Sequence, residues 1–144
     1  MPDKKIILCD IDGTVANNNH RQHFLEGKKD WDGFFSELIN DEPIFPIINK
    51  VIKEHDAGKD IIFLTGRPER YRYITMTWLK EYFNFELKIL MRKNTDRRSK
   101  LITKKEMFEQ NFNKEHIDCI IDNDKDLLKM WEEMDIATID ANKN

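Results

Sequence analysis

The sequence predicts an α/β fold in which helices cover both faces of a doubly wound parallel sheet. Short apolar runs alternate along the chain with longer amphipathic segments, as they do in β–α–β units. Three of the four main apolar runs are almost continuously apolar, which is typical of parallel strands that are buried on both faces. Right-handed crossovers between such strands place functional groups at the carboxyl ends of the strands.

Strands and helices are predicted to alternate over most of the chain. The predicted strands are 5–9, 60–64, 87–91 and 117–121, with a short edge strand over 137–140. The predicted helices are 46–55, 68–83, 99–112 and 125–134. Pro46 and Pro68 suit the first turn of a helix, and Gly58 suits a helix end. This order of elements predicts a Rossmann-like sheet.

One irregular segment, residues 15–42, interrupts the alternation after the first strand. It contains a turn-like run of asparagines and a stretch over 31–39 that predicts a short helix. The segment is too small for a separate domain. We therefore expect one domain over residues 1–144, with a small flap at 15–42 and no large cap domain.

Composition excludes several classes of protein. The 144 residues are 40% hydrophobic, so the chain can bury a sizeable core. Its net charge of −3 does not favour tight, nonspecific binding to nucleic acid. No apolar stretch reaches the roughly 20 residues of a membrane span, and the first apolar run is too short for a signal peptide. Cys9 and Cys119 lie in separate apolar runs, which indicates buried thiols and a cytoplasmic location rather than a disulfide or zinc site.

Polar residues follow three of the predicted strands. Asp10 and Asp12 follow the first strand, Thr65-Gly66 the second, and Asp122 the fourth. Carboxylates at the ends of neighbouring buried strands are costly unless a positive charge lies between them, and Mg²⁺ with oxygen ligands supplies that charge. Thr65-Gly66 offers a hydroxyl and backbone N–H groups, which we expect to form an anion site at a helix start.

Asp10 and Asp12 are spaced so that both can act on one reacting group. Residues i and i+2 of an extended chain point the same way, so one carboxylate can attack while the other donates and then removes a proton. An isolated Asp-x-Asp-Gly-Thr is also typical of an Asx turn, in which Gly13 allows a sharp bend. A lysine near the next helix start extends the set into a constellation for phosphoryl transfer.

Three motifs of the chain resemble the haloacid dehalogenase (HAD) superfamily of aspartyl-phosphate phosphotransferases. They are Asp10-Ile-Asp-Gly-Thr-Val15, Leu64-Thr-Gly-Arg67 and Ile121-Asp122. The resemblance spans nearly the whole chain and implies a HAD-like fold. Asp12 is the second acid that marks the phosphatases and phosphomutases of the superfamily, so the resemblance implies a phosphatase.

A closer resemblance is to the 3′-phosphatase domain of phage polynucleotide kinase–phosphatase and its small stand-alone relatives. The similar stretches are 65–72, 91–92, 104–108, 121–124 and 130–131. The resemblance implies a catalytic set of nucleophile, acid/base, phosphoryl-binding hydroxyl and charge-holding lysine, namely Asp10, Asp12, Thr65 and Lys104. It implies substrate binding by Gly66, Arg67 and Arg92. It also implies Mg²⁺ held by Asp10, Asp12 and Asp122.

Two positions of the family pattern leave a choice among neighbouring residues. The family often has a second Asp where this chain has Asn123, and the candidates for its outer-shell role are Asp124 and Asp126. The candidates for the active-site lysine are Lys100, Lys104 and Lys105. The match before Glu-Met-Phe108 favours Lys104.

A basic run and several aromatic residues are secondary candidates for substrate contacts. Seven basic residues against one acid lie between Met91 and Lys105, and the run is either a solvated face or an anchor for nucleic-acid phosphates. Its position after the third strand favours the anchor. Three further groups are candidates. A loop group is interpreted first as solvated and second as a substrate contact: His20, Arg21 and His23. Another group is interpreted as flap or packing residues, Trp31, Phe34 and Phe35, and the last as core, Trp78, Tyr82, Phe83 and Trp131.

Three functions remain open at this point. The favoured one is a Mg²⁺-dependent phosphomonoesterase that forms an aspartyl-phosphate and removes 3′-phosphates from polynucleotide ends in nucleic-acid repair. The alternatives are a small-molecule phosphatase such as a nucleotidase, and a non-catalytic binding module, against which the complete set of acids and lysine argues. The sequence contains no Gly-x-x-x-x-Gly-Lys-Ser/Thr loop, so we expect no 5′-kinase activity from it. The expected partners are phosphorylated nucleic-acid ends or nucleotides, and no membrane.

Overall fold

The computed structural model describes residues 3–143 and is built around a five-stranded parallel sheet. In chain order the elements are β1 (Ile6–Cys9), β2 (Ala16–Asn17), α1 (Trp31–Ser36), β3 (Glu42–Pro43), α2 (Phe45–Asp56), β4 (Asp60–Pro68), α3 (Arg72–Tyr82), β5 (Ile89–Arg92), α4 (Lys100–Asn111), β6 (Ile117–Asp122), α5 (Lys125–Glu133) and β7 (Thr138–Asp140). The strand order is β5-β4-β1-β6-β7, and each neighbouring pair is parallel. The order reverses around β1, and ligand sites of open α/β sheets lie at such a switch point.

Helices pack on both faces of the sheet because successive strand residues point to opposite sides. On one face Ile7 and Phe63 lie in a core cluster with α2 and α3 residues such as Val51 and Trp78. On the other face Leu8 and Ile120 cluster with Phe108, Leu127 and Trp131 of α4 and α5. The predicted fold class is therefore confirmed, and residues 3–143 include no large cap domain.

Local signals explain most helix boundaries. Pro46 lies in the first turn of α2, and Gly58 follows that helix with a φ of +98°, as predicted. Ser99 caps α4 by accepting a hydrogen bond from the Ile102 N–H, and Asp124 caps α5 by accepting from Asp126 and Leu127. The core prediction for the aromatic side chains is also confirmed, since Trp78, Phe83 and Trp131 are buried and Tyr82 is half-buried.

The predicted helix 68–83 begins later in the structure, so its predicted start at residue 68 is wrong. β4 continues through Pro68, which pairs with Arg92 of β5, and α3 begins only at Arg72. Pro68 is extended, with φ −64° and ψ 148°, and a residue that precedes proline also avoids the helical region. Thr65 and Gly66 consequently lie within a strand, so the anion site that we expected at a helix start there does not exist in that form.

The segment over residues 15–42, called the flap below, has its own small core. β2 and β3 pair antiparallel at its base. Phe34, Phe35 and Leu38 form an apolar cluster that packs against Tyr71 and Ile74 beside the carboxyl end of β4. The flap therefore lies next to the strand ends at which the candidate site residues are found. Within residues 3–143, no helix has the length and apolar character that crossing a membrane would require.

Candidate active site

Two buried carboxylates meet at the carboxyl ends of the central strands. Asp10 directly follows β1, and Asp122 is the last residue of β6; their exposed fractions are 7% and 1%. The backbone N–H of Asp10 donates to the carbonyl oxygen of Ile121 at 2.9 Å, which holds the two strand ends together. Burial raises the pKa of Asp10, and the nearby Asp122 raises it further against the opposing charge of Lys104.

Lys104 supplies the positive charge between these carboxylates. Its Nζ donates to Asp10 Oδ1 at 2.8 Å and lies 4.0 Å from Asp122 Oδ2. Burial disfavours its charged form, but the two carboxylates outweigh burial and raise the pKa of Lys104. The other lysine candidates lie elsewhere, because Lys100 pairs with Asp124 and Lys105 is exposed. The geometry favours Lys104 as the active-site lysine.

Asp12 is bound by two buried arginines. Arg67 donates to both carboxylate oxygens, from Nε at 3.1 Å and from Nη2 at 2.9 Å, and Arg21 Nη2 donates to Oδ1 at 2.6 Å. Burial alone would raise the pKa of Asp12, but Arg67 and Arg21 outweigh it and lower this pKa to about 2. Asp12 is therefore ionised in this arrangement.

Asp41, at the end of the flap, holds both arginines in place. Its carboxylate accepts from Arg21 Nε at 2.7 Å and Nη2 at 2.8 Å, and from Arg67 Nη2 at 3.3 Å. His20 Nε2 lies 2.6 Å from the same carboxylate, and Trp78 Nε1 donates to the Asp41 carbonyl oxygen at 2.8 Å. Two guanidinium groups and two carboxylates thus form a buried network with balanced charge.

The interpretation of Arg21 as part of a solvated loop is wrong, because its exposed fraction is 0%. The sequence offered no signal for this burial, since Arg21 lies in a polar segment without hydrophobic periodicity. Asp41 was not among the predicted site residues for the same reason. His23 is exposed at the surface of the loop, where its Nδ1 lies 3.1 Å from the His20 carbonyl oxygen.

Small polar groups surround Asp10. Thr14 Oγ1 donates to Asp10 Oδ2 at 3.2 Å. The Asn123 amide lies 3.1 Å from Asp10 Oδ2 and 2.9 Å from the Asp12 carbonyl oxygen, and only its nitrogen suits both acceptors. Gly13 turns beneath them with a φ of +79°, at a position where a Cβ atom would collide with the Asn123 side chain. Asn123 thus contacts the Asp10 carboxylate that lies beside Lys104.

The candidates for the outer-shell acid lie away from this cluster. Asp124 caps α5 and pairs with Lys100, and the Asp126 side chain is 73% exposed. The ion pairs of Asp124 and Asp126 are thus made with Lys100, and their part in the outer shell stays a prediction.

Thr65 is buried, and its hydroxyl accepts a hydrogen bond from the Arg67 N–H at 3.1 Å.

The donor set around Asp10 and Asp122 fits Mg²⁺. Two buried carboxylates against one lysine leave an excess of negative charge, and both groups offer the hard oxygen ligands that this ion prefers. The carboxylate of Asp12 is instead bound by arginines, and within residues 3–143 no three His, Cys, Asp or Glu side chains are grouped to hold a metal. Water and substrate oxygens would complete the coordination, as is usual for Mg²⁺.

A cleft of about 770 Å³ leads to this centre. Its base includes Asp12, Arg67 and Lys104, and one wall is formed by flap residues. A second wall is mainly basic and includes Arg92, Arg97, Arg98 and Lys100, with Asp96 as its one acid. Arg92 donates from Nε to the Gly66 carbonyl oxygen at 2.9 Å and from Nη1 to that of Asp96 at 2.6 Å. The structure therefore brings all three predicted substrate-binding residues, Gly66, Arg67 and Arg92, to one cleft.

Comparisons with known proteins agree with this arrangement. The family model "Polynucleotide kinase PNKP phosphatase domain" matches residues 4–144. A curated relative from Autographa californica nuclear polyhedrosis virus, named "Putative bifunctional polynucleotide kinase/RNA ligase", is 27% identical over 140 residues, which are 94% of this chain and 19% of the relative. The chain thus spans about a fifth of the length of that relative.

Solved structures show the same fold. A chain in "Structure of the Pnkp1/Rnl/Hen1 RNA repair complex" superposes with a TM-score of 0.77 at 27% identity, covering 95% of this chain and 42% of that chain. A class C acid phosphatase from Bacillus anthracis, solved with tungstate, is 20% identical with a TM-score of 0.59, covering 84% of this chain and 53% of that one, and supports the fold alone. The chain belongs to the polynucleotide kinase PNKP phosphatase-domain family, and it is a HAD-type phosphatase domain.

Proposed function

We propose that this chain is a Mg²⁺-dependent phosphomonoesterase that removes 3′-phosphates from polynucleotide ends through a phosphorylated Asp10. The observation that carries the proposal is the buried contact of 2.8 Å between Lys104 Nζ and Asp10 Oδ1, at the base of a cleft with one basic wall. Family membership and the repair-complex relative support a polynucleotide substrate.

Asp10 is the nucleophile of the first step. One of its oxygens attacks phosphorus, the bond from phosphorus to the sugar oxygen breaks, and the leaving oxygen takes a proton from Asp12. Burial raises the pKa of Asp10, and Lys104 opposes this rise and so favours the ionised nucleophile. Lys104 then holds the charge of the transferred phosphoryl group. Mg²⁺, when held by Asp10 and Asp122, adds Lewis-acid stabilisation of the phosphoryl oxygens.

Asp12 transfers the protons, and the arginines control when it can do so. With Arg21 and Arg67 bound to it, Asp12 is an ionised carboxylate and holds no proton to give. An entering phosphate offers these guanidinium groups a competing partner, and Arg67 reaches the cleft. Release of Asp12 from the arginines raises its pKa, so that it can carry a proton to the leaving oxygen.

The second step restores the enzyme. Asp12 takes a proton from water, and the resulting oxygen attacks phosphorus while the bond to Asp10 breaks. Inorganic phosphate leaves, the arginines bind Asp12 again, and Asp12 gives its proton to solvent. When the next phosphate draws the arginines away, Asp12 takes up a proton from solvent for the next leaving group. The sum of the steps is hydrolysis of one phosphate monoester by one water.

Phosphate release from four substrates tests the proposal. The substrates are a 3′-phosphorylated oligonucleotide, its 5′-phosphorylated counterpart, a 3′-mononucleotide and a 5′-mononucleotide. We expect the highest kcat/KM with the 3′-phosphorylated oligonucleotide, and a loss of about 10⁴-fold or more in kcat for folded Asp10→Asn. A preference for mononucleotides would favour a nucleotidase, and near-normal turnover by Asp10→Asn would contradict the mechanism.

A further inference from the structure

The flap presents an exposed aromatic surface at the mouth of the cleft. The residue is Trp31, the first residue of α1, which is 46% exposed and lines the cleft. Its ring stacks on Phe35 at 6.0 Å between centroids with 23° between the planes, and meets the edge of Phe34 at 5.9 Å. Phe35 in turn packs on Tyr71 at 4.9 Å. Lys29 Nζ lies 5.7 Å from the centroid of the Trp31 ring, on an exposed side chain that also lines the cleft. The indole is therefore supported from within the flap, has a positive charge beside it, and retains accessible surface on the cleft.

Trp31 is connected to Asp12 through a series of packed and hydrogen-bonded groups. The Arg21 guanidinium lies 4.3 Å from the centroid of the Phe34 ring, and Arg21 Nη1 donates to the Phe34 carbonyl oxygen at 3.3 Å. The same guanidinium binds Asp12. The position of the indole relative to the proton-transfer residue is thus set by a short chain of packed groups.

The wall opposite Trp31 carries positive charge that is partly free. Arg98 is paired with Asp96 and Glu106, and Lys100 with Asp124. Arg97 is exposed, lines the cleft, and makes no ion pair with any residue in the range 3–143. A polymer that matches this cleft carries negative charge along one side and flat π-faces along the other, which describes single-stranded nucleic acid.

We propose that Trp31 stacks on a nucleobase within the last two nucleotides of a single-stranded 3′-end while the terminal phosphate lies at Asp10. The inference rests on the proposed function and adds the contact by which the enzyme distinguishes a polynucleotide end from a small phosphate ester. A paired base keeps its faces against its neighbours in the duplex, so the stack favours single-stranded ends over recessed ends.

Steady-state kinetics with three substrates test the contact. The substrates are a 3′-phosphorylated single strand, the same strand with abasic sites at its last two positions, and p-nitrophenyl phosphate. For Trp31→Ala we expect KM for the first substrate to rise about tenfold, the size of the loss of one base–aromatic stack. KM for the abasic strand and for p-nitrophenyl phosphate should stay unchanged, and kcat should be retained. Trp31→Phe, which keeps an aromatic face, should restore most of the affinity.

Tyr73→Ala is the matched control, because Tyr73 is an exposed aromatic residue, at 85%, that does not line the cleft. We expect this variant to leave all three KM values unchanged. An equal rise in KM for the base-containing and abasic strands in Trp31→Ala would overturn the stacking role, since the base would then not be the group that is bound. An unchanged KM for the base-containing strand would overturn it as well.

Tryptophan emission separates this inference from the proposed function. Trp78 and Trp131 are buried, with 1% and 0% exposure, so an oligonucleotide that stacks in the cleft should quench chiefly Trp31. In one outcome the oligonucleotide quenches the wild type but not Trp31→Phe, and the wild type releases no phosphate. That outcome would refute the proposed function and support the stack. Phosphate release without any quenching would support the function and overturn the stack.

Discussion

The protonation of Asp12 depends on the charged side chains around it. The guanidinium groups of Arg21 and Arg67 bind the Asp12 carboxylate, which compensates one of their two positive charges. The Asp41 carboxylate compensates the other. Because all three partners are buried, the loss of any one leaves an uncompensated charge out of contact with water. We therefore expect Asp41 to act on catalysis through its contacts with the two arginines.

Asp41→Asn tests this positioning role. The change keeps the shape of the side chain but leaves the network with an excess positive charge, so we expect unfolding free energy to fall by about 3–5 kcal/mol. We also expect kcat to fall with little change in the KM for p-nitrophenyl phosphate, because Arg21 and Arg67 lose their orientation toward Asp12. Urea denaturation and steady-state kinetics measure the two effects. Asp56→Asn, at an exposed ion pair, should change neither, and a stability loss below about 1 kcal/mol in Asp41→Asn would contradict the role.

Asp122→Asn tests the proposed metal site. Loss of an outer-shell partner already weakens metal affinity by about 10- to 100-fold, so removal of one of the two proposed ligands should raise the Mg²⁺ concentration needed for half-maximal activity by at least that much. A second readout is stability, because Mg²⁺ that binds the folded chain should raise Tm in the wild type and not in the variant.

Asp124→Asn is the control for that experiment, since Asp124 caps α5 and pairs with Lys100. We expect this variant to keep the wild-type Mg²⁺ dependence. A rise in the Mg²⁺ concentration needed for half-maximal activity of Asp124→Asn would instead assign Asp124 the outer-shell role that the family gives to an acid. Full wild-type activity in excess chelator would refute the metal requirement.

At the scale of elements, the connection from β5 to α4 forms the basic wall of the cleft. β5 ends and α4 begins at the carboxyl edge of the sheet, so residues between them line the same cleft as the flap. The charges in this connection are not equivalent. Arg98 is held by Asp96 and Glu106 at 2.8 Å and 2.7 Å, whereas Arg97 makes no such pair among residues 3–143. The structure therefore favours Arg97 as the polymer anchor within a run that the sequence treats as uniform.

Salt-dependent kinetics of Arg97→Ala test that assignment. Loss of one phosphate contact should raise KM for a 3′-phosphorylated oligonucleotide and reduce the slope of log KM against log salt by about 0.7. KM for p-nitrophenyl phosphate should not change, because this ester reaches only the base of the cleft. Lys105→Ala, an exposed charge in the same run outside the cleft, is the control and should leave the slope unaltered. An equal effect on both substrates would show that Arg97 is not a polymer anchor.

At the scale of the whole molecule, the site depends on a sheet whose centre is closed to solvent. Cys9 of β1 and Cys119 of β6 are both buried free thiols, as the sequence predicts. Burial raises the pKa of Cys9 well above its usual value and the pKa of Cys119 to about 11. A raised pKa keeps a thiol protonated, and only the thiolate is a good nucleophile.

The rate of thiol labelling at pH 8 measures how accessible the two buried cysteines are to a reagent in solvent. We expect the folded protein to react with no more than a trace of a thiol reagent, and both cysteines to react once denaturant unfolds the chain. Rapid labelling of either cysteine in the native protein would show that the centre of the sheet opens. A substitution on the exposed surface of α5, Lys129→Ala, should not change the labelling rate.

The sequence by itself determined the α/β architecture and the acids at the strand ends. Apolar periodicity is a local property, so the strands and helices could be predicted to within a few residues, except where Pro68 prolongs β4. The same local pattern places Asp10 and Asp122 after their strands, where parallel pairing must bring them together.

Only the tertiary structure decided which charged side chains are buried against each other. Lys104 and Asp10 are 94 positions apart, and Arg67 and Asp12 are 55 apart. Arg21 and Lys105 look alike as residues of polar segments, yet one is fully buried and the other is exposed. The physical reason is that burying a charge depends on the partner that compensates it. That partner is brought close by the fold, and no pattern among sequence neighbours records it.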